Sequence, residues 1–311
     1  MNLIRKIKRL LNNPRALYVH FALKRFEKKC KSVHLSDEEY LSYLFKIRVG
    51  KKLNLMNPKS FNEKMQWLKL YNRQPIYSVM VDKDAVKDYV SRIIGEQFLI
   101  KRIGVWKSFD DINFDDLPEQ FVLKTTHGCG GMLVCEDKFK INPNQYRNSF
   151  EASLTDNYYF HSREWPYKNV VPQIIAEEFM RDGNNKVLPV YKFFCFNGEP
   201  FIAQVIQNDK NSNETIDYVD MDYKLLKIRQ NYPNSKRPLP MPSNFDEMKT
   251  ICRKLTKGIP FVRCDLYSIN GKTFFSEFTF FSDAGLERFY PEKWDYILGE
   301  KIILPNKTIN D

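Results

Sequence analysis

FVRCDLYSINGKTFFSEFTFF, residues 261–281, reads as a β-hairpin. Phe261, Val262, Cys264, Leu266 and Tyr267 form one strand-like run, and Thr273 to Phe281 form another. Between them Ile269-Asn270-Gly271 supplies an Asn-Gly turn, the strongest short-range hairpin signal. Residues two apart on a strand share a face. Arg263 and Asp265 therefore point the same way, and so do Glu277 and Thr279. Pairing of the two strands gathers two carboxylates and one cation on one face, flanked by phenylalanines. Such a face is poor design for stability alone and good design for a hard cation that takes oxygen ligands. An exposed strand face with a salt bridge from Arg263 to Asp265 or Glu277 explains the same residues. The remainder of the chain has to decide between the two.

A chain of 311 residues can hold two or three lobes with real cores. Its 43% hydrophobic and 28% charged content is that of a globular chain, and 14% aromatic is high. No run of 18 or more apolar residues is present, so no transmembrane helix is expected. The N-terminus is basic but lacks an apolar core of signal-peptide length. Cys30, Cys129, Cys135, Cys195, Cys252 and Cys264 are scattered, with no CxxC pair, so reduced thiols are expected rather than zinc. The formal charge of +11 is uneven. Residues 1–32 carry ten Lys and Arg against one acid, Glu27, so +9 lies there and about +2 on the other 279 residues. A nearly neutral body with a basic arm fits an anionic lipid surface better than nucleic acid, for which no motif accompanies the charge.

In chain order, Leu3, Ile4, Ile7, Leu10 and Leu11 recur at helical spacing among basic residues, until Asn12-Asn13-Pro14 breaks the pattern. A second helix follows with Leu17, Phe21 and Phe26 on one face and Lys24 to Lys31 trailing. Such a basic pair either lies in a membrane interface or packs on the body with its charges solvated. Ser36-Asp37-Glu38-Glu39 opens another helix. Ser60 and Glu63 make a capping box for a helix through Met65, Trp67, Leu68 and Tyr71. Ala85 to Val90 is helical, Phe98 to Val105 a strand, and Phe121 to Lys124 a second strand. That strand runs into Thr125-Thr126-His127-Gly128-Cys129-Gly130-Gly131 and then the apolar run Met132 to Cys135. A strand, a glycine-rich loop and a strand can lay backbone N–H groups over phosphates, and an ordinary turn explains the same residues. It is no P-loop, lacking GKS or GKT and a following helix. Lys124 sharpens the reading, because a lysine ending a buried strand is costly unless an anion meets it. His127 is read as ordering the loop or touching a phosphate. Val170 to Ala176 is a strand closed by Glu177-Glu178, and Val190 to Phe196 carries Lys192 into an Asn197-Gly198 hairpin returning as Pro200 to Gln207. Phe245 to Leu255 is an amphipathic helix.

This order resembles the ATP-grasp fold, and residue by residue one branch of it, the TupA-like family of bacterial surface-polysaccharide loci. The resembling stretches are NPKSFNEKMQWLKLYNR (57–73), VDKDAVKDYV (81–90), FVLKTTHGCGG (121–131), REWPYKN (163–169), IIAEEF (174–179), YKFFCFNGEP (191–200), VRCDLY (262–267), and SEFTFFSDAG with PEKWD (276–295). The resemblance implies an α+β fold in which two lobes clasp ATP, with a mainly helical N-terminal region. The expected divisions are a basic helical arm (1–35), a helical region (36–115), lobe one (116–182) and lobe two (183–311). It implies that Lys124 and Lys192 reach the phosphates, with His127, Gly128, Gly130 and Gly131 folding over them. Glu177 and Glu178 would meet the adenine and ribose. Asp265, Glu277 and Thr279 would hold Mg²⁺, and Arg263 would stabilise the transferring phosphoryl group. Thr279 stands where many ATP-grasp chains have Asn, and Val190 where relatives often carry an acid.

The function implied is an amide ligase. It would join a carboxylate, such as a uronic acid of a surface glycan, to an amine such as an amino acid, through an acyl phosphate. No Ser-His-Asp or Cys-His set competes with that reading. A glycosyltransferase would need a sugar-nucleotide site, for which Asp220-Met221-Asp222 offers only a turn-like D-x-D. A sugar kinase using the same ATP site is a further alternative, and a scaffold with a dead nucleotide site is the non-enzymatic one. The expected location is cytoplasmic, with residues 1–32 against the inner face of the membrane.

Overall fold

The computed structural model describes residues 14–128, 130–183, 187–209 and 211–308. The helix expected over residues 1–11 lies outside them, as does Cys129. Pro14 opens α1 (Pro14–Ser32), where its missing N–H leaves no bond unmade. α2 (Asp37–Arg48) and α3 (Phe61–Tyr71) each start at a capping box, Ser36 with Glu39 and Ser60 with Glu63. α4 (Pro75–Val81), which the periodicity above does not reveal, and α5 (Ala85–Ile94) follow.

The first sheet holds β1 (Arg102–Trp106), β2 (Phe121–Thr125), β3 (Met132–Cys135) and β4 (Ile174–Glu178), in the order β1-β4-β2-β3 and antiparallel throughout. The strand expected from Phe98 is shorter, because Glu96–Phe98 forms a 3-10 turn and β1 begins only at Arg102. Because β1 pairs with β4, one strand of this sheet comes from within residues 36–115. α6 (Asn144–Thr155) and the short α7 (Tyr159–Ser162) lie between β3 and β4. Phe150 of α6 packs with Phe121, Leu123, Leu133, Ile174 and Ala176 into one buried cluster. Strand alternation then turns Lys124 and Glu177 to the other face.

The second sheet runs β10-β9-β5-β6-β7-β8. Its strands are β5 (Val190–Phe196), β6 (Glu199–Gln207), β7 (Thr215–Val219), β8 (Leu225–Leu226), β9 (Val262–Ile269) and β10 (Lys272–Thr279). α8 (Phe245–Leu255) covers one face with Met248, Ile251, Cys252 and Leu255 against Phe193, Cys195, Val262 and Cys264. The same buried cluster takes in Phe61 and Met65 of α3, Met80 of α4 and Val86 and Val90 of α5. The helical segment therefore shares the core of the second sheet. α1 and α2 form a smaller cluster, in which Phe26, Leu41, Leu44 and Phe45 meet Leu70 and Leu286. α9 (Lys293–Lys301) closes the chain against α3. Cys30, Cys135, Cys195, Cys252 and Cys264 are free thiols.

Candidate active site

β9 and β10 pair with Asp265 opposite Glu277 and Arg263 opposite Thr279, so all four side chains share one face. A bulge between Phe275 and Glu277 resets the register so that this happens. β5 adds Lys192 opposite Asp265, and β6 adds Gln204 opposite Lys192. Arg263 grips Asp265 with two parallel bonds, Nε to Oδ1 at 2.7 Å and Nη2 to Oδ2 at 2.8 Å. It also donates to Thr279 Oγ1 at 2.9 Å and to Ser282 Oγ at 3.2 Å. Lys192 Nζ stands 3.5 Å from Asp265 Oδ2. Both members of the central pair are buried, Arg263 8% and Asp265 1% exposed. Burial alone would lower the Arg263 pKa, but the charges of Asp265, Glu277 and Asp283 drive it above its ordinary value.

The first sheet contributes a second charged knot. Glu177 accepts from Lys124 Nζ at 2.5 Å and from Lys87 Nζ at 2.6 Å. Burial pushes the Glu177 carboxyl up, but the two ammonium groups outweigh it and hold it below its ordinary value. Burial likewise pushes Lys124 down, and Glu177, Tyr267 and Glu277 more than reverse that, so it stays charged at neutral pH. Tyr267 and Glu277 belong to β9 and β10, so the open face of the first sheet looks toward the charged face of the second.

The loop after β2 is fixed from several sides. Thr125 Oγ1 donates to Gly130 O at 2.7 Å, Lys83 Nζ to Gly128 O at 2.5 Å, and the Thr126 amide to Gln173 O at 2.9 Å. His127 Nε2 lies 2.9 Å from Ser153 O and 3.1 Å from Asp156 O. Two carbonyl partners require a proton on Nε2, which leaves Nδ1 as an acceptor, buried and without a partner among the described residues. Gly131 takes φ +54°, and a Cβ there would meet Thr125 Cγ2 at 2.9 Å.

A third layer supports the second sheet. On α3, Asn62, Gln66 and Lys69 lie at i, i+4 and i+7, on one stripe, and all three are buried. Asn62 Nδ2 donates to Glu287 O at 2.9 Å and Gln66 Nε2 to Gly285 O at 2.7 Å. Lys69 Nζ donates to Ala284 O at 2.8 Å and to Ser162 O at 2.9 Å. The Ala284 and Gly285 carbonyls belong to a turn in which Asp283, Ala284 and Gly285 all have positive φ, 49°, 56° and 60°. Ser282, which receives Arg263, begins that turn.

The structure thus brings Lys124, Glu177, Lys192, Arg263, Asp265, Glu277 and Thr279 to facing sheet surfaces, with the His127–Gly131 loop continuing from Lys124. Glu178 does not join them: it is exposed on the other side of β4, its amide donating to Lys101 O at 3.0 Å. Asp220-Met221-Asp222 is a turn closed by the Asp222 amide on Asp220 Oδ1 at 3.0 Å. Lys83, Lys87, Gln204 and the α3 stripe are missing from the sequence reading. Lys87 left a trace, an ammonium beside the apolar pair Val86 and Val90.

No three or more His, Cys, Asp or Glu among the described residues gather into a metal-binding group. The oxygen set of Asp265, Glu277 and Thr279 nevertheless fits Mg²⁺, which is bound through one or two carboxylates and completes its shell with phosphate oxygens and water. Thr279 Oγ1 is the weakest of the three because it is a neutral hydroxyl; Arg263 donates to it as it does to both oxygens of Asp265.

Two antiparallel sheets facing across lysines, with R-x-D and E-x-T on adjacent strands, define an ATP-grasp architecture. The TupA-like ATPgrasp family model matches residues 63–303, and the chain belongs to that family. None of the curated proteins matches the chain. Among solved structures, the D-alanine–D-alanine ligase of Bacillus anthracis complexed with ATP is similar at 13% identity and TM-score 0.38, over 66% of this chain and 55% of that one. The D-alanine–D-alanine ligase of Helicobacter pylori is similar at 14% identity and TM-score 0.41, over 79% and 70%. The ATP-grasp ligase PsnB with minimal precursor, Mg and ADP is similar at 12% identity and TM-score 0.36, over 70% and 57%. The chain spans just over half the length of the Bacillus anthracis ligase.

Proposed function

We propose that the chain is an ATP-dependent carboxylate–amine ligase. The observation that supports this best is the facing arrangement of Lys124 and Lys192 with Arg263, Asp265 and Glu277, on a family member. Phosphoryl transfer needs positioning and charge neutralisation more than a covalent nucleophile. Lys124 and Lys192 hold the phosphate oxygens, and the His127–Gly131 loop lies over them. Arg263 meets the charge on the transferring γ-phosphoryl group. Asp265, Glu277 and Thr279 hold Mg²⁺, which when bound neutralises charge on the phosphates. The carboxylate oxygen of the acid takes the phosphoryl group, ADP leaves, and an amine displaces phosphate from the acyl phosphate to give the amide.

The acid of this proposal is a uronic acid of a bacterial surface polysaccharide or its precursor, and the amine is an amino acid or similar. Residues 1–32 bring the enzyme to an anionic membrane surface. That placement is supported by the exposed Tyr18 and Phe21 on α1 beside exposed Lys24, Arg25 and Lys28. No helix among the described residues is long and apolar enough to cross a membrane. Purified protein with Mg·ATP, glucuronate or galacturonate and a panel of amino acids should release ADP only when acid and amine are both present. Sugar transfer from a nucleotide sugar, with no ADP release in any mixture, would reverse the proposal.

A further inference from the structure

Lys69 Nζ has three acceptors, drawn from three separate parts of the chain. They are Gln66 Oε1 of α3 at 3.1 Å, Ser162 O at the end of α7 at 2.9 Å and Ala284 O of the turn after β10 at 2.8 Å. An ammonium has three N–H donors, so each donor has its own acceptor. The residue is 1% exposed. α7 lies in the connection between β3 and β4 of the first sheet, and the turn continues the last strand of the second. From α3, the ammonium therefore ties a connection of one sheet to a turn of the other. That turn is the one that meets Arg263, whose Nη1 donates to Ser282 Oγ at 3.2 Å. Lys69 also orients the Gln66 amide, so that Gln66 Nε2 donates to Gly285 O at 2.7 Å. Glu164, 3% exposed, is the anion that acts on Lys69, and it accepts from Ser162 Oγ at 2.7 Å. Glu164 is also within electrostatic reach of Arg263 and Asp283. Arg73 and Arg163, on the same segments, are turned instead to Asp37, at 2.8 and 3.1 Å.

We propose that Lys69 is a positioning residue of the phosphoryl-transfer site: by holding α7 and the turn after β10 together, it fixes the guanidinium of Arg263 for the transferring γ-phosphoryl group. The assignment rests on the ligase reading above, in which Arg263 has that role. All three Lys69 donors are spent on this tie, so removing it acts on kcat and spares KM for ATP. A neutral amine keeps only two N–H donors, so loss of the proton releases one of the three acceptors. Burial brings that loss within reach by lowering the ammonium to about 8, with Glu164 opposing. What loosens then is the local tie and not the fold.

The test compares the full chain with its Lys69→Met variant in ADP release, with Mg²⁺, glucuronate and the panel of amino acids over an ATP series. Rates are taken at about pH 7.5 and about pH 9.5, on either side of the Lys69 titration. At the lower pH the kcat of the variant should be about tenfold below the parent's, the worth of one charged hydrogen bond, with KM for ATP unchanged within about threefold. At the higher pH the parent has lost the same proton, and the two kcat values should come within about threefold of each other. This ratio cancels the ionisation of the amine and of the other site residues, which both proteins share. Hydrogen exchange of the parent needs no variant. Corrected for the intrinsic rate, peptides covering 159–168 and 282–288 should together lose about tenfold in protection between the two pH values. Circular dichroism reports the fold of the variant, and where its spectrum departs from the parent's the exchange result alone decides. The same kcat ratio at both pH values, a folded variant as fast as the parent at the lower pH, or protection that ignores pH overturns the assignment. Protection that falls with pH in a protein releasing no ADP with any acid leaves the tie standing and removes the ligase reading. ADP release by the parent with a pH-independent ratio does the opposite.

Discussion

Asp265 answers to two demands at once. It is the bidentate partner of a buried arginine and, in the proposed reaction, a metal ligand. Removing one member of a buried ion pair strands the other, at about 3–5 kcal/mol. Asp265→Ala should therefore lower the unfolding free energy by that amount in urea titrations, and any loss of activity in it is ambiguous. Asp265→Asn keeps the shape and one acceptor but gives up the charge. It should stay folded and lose about 10²–10³-fold in ATP turnover, the range for removing one charge-stabilising group. Coupled ADP-release kinetics at saturating Mg²⁺ check this; turnover within threefold of the parent would remove Asp265 from the metal site. Glu177 acts one step further back. It neutralises Lys124 and Lys87 together, so Glu177→Gln leaves two buried ammonium groups facing each other. Lys124 should then be mispositioned for phosphate, raising KM for ATP more than it lowers kcat, which initial-rate kinetics over an ATP series would read.

α3 is the element on which the charged face depends. Gln66 and Lys69 of its stripe hold the carbonyls of a turn in which Asp283 and Ala284 are left-handed non-glycine residues, and Asn62 holds Glu287 O just beyond it. Gly285 permits the close approach, since a Cβ on it would lie 2.3 Å from Met65 Cβ, and its φ of +60° adds a second objection. Gly285→Ala should cost about 2–4 kcal/mol in equilibrium unfolding, overpacking and backbone strain together. A change under 1 kcal/mol would mean that the turn moves freely. The two hairpins were readable because Asn270-Gly271 and Asn197-Gly198 are local signals flanked by alternating side chains. Both capping boxes were readable for the same reason. The α3 stripe was not. In an isolated helix, polar residues at i, i+4 and i+7 mark the solvent face, and only packing of the post-β10 turn onto α3 makes them buried donors. Lys87 escaped because its partner Glu177 lies on a strand ninety residues away, and no local pattern links them. Lys124, Asp265 and Glu277 could be singled out from local pattern because each ends or lines a strand next to a turn signal, whereas Lys192, between aromatics on its strand, could be named only through the family resemblance.

Charge is distributed over the molecule so that its parts respond to different solution conditions. The carboxyl of Glu177, opposed by burial, is held below its ordinary 4.5 by Lys124 and Lys87. A depressed carboxyl contributes stability above its unfolded pKa and loses it as pH falls through the folded value. Unfolding free energy should fall between about pH 5 and 3, and Glu177→Gln should flatten that fall. Lys69 works in the opposite direction. Burial pushes its ammonium down to about 8, with Glu164 opposing. The unfolded chain then binds the extra proton between about pH 8 and 10.4, so the contribution of this group to stability rises with pH there. Residues 1–32, in the proposed membrane role, would respond instead to salt and lipid. They hold +9 of the net +11, and the body is close to neutral. On α1, Phe26 turns inward while Lys24, Arg25 and Lys28 are exposed, with Phe21 at 61% exposure one turn away. Each basic residue near an anionic surface contributes about 1 kcal/mol. Replacing Lys24, Arg25 and Lys28 together by Gln removes three such charges and leaves the packing of Phe26 untouched. Binding to vesicles containing one anionic lipid in three should weaken about 100-fold at low salt, three such contributions with some loss to screening. Cosedimentation at two salt concentrations reads this directly. Equal binding to neutral vesicles, or no difference between parent and variant, would leave α1 as a helix whose charges simply face water.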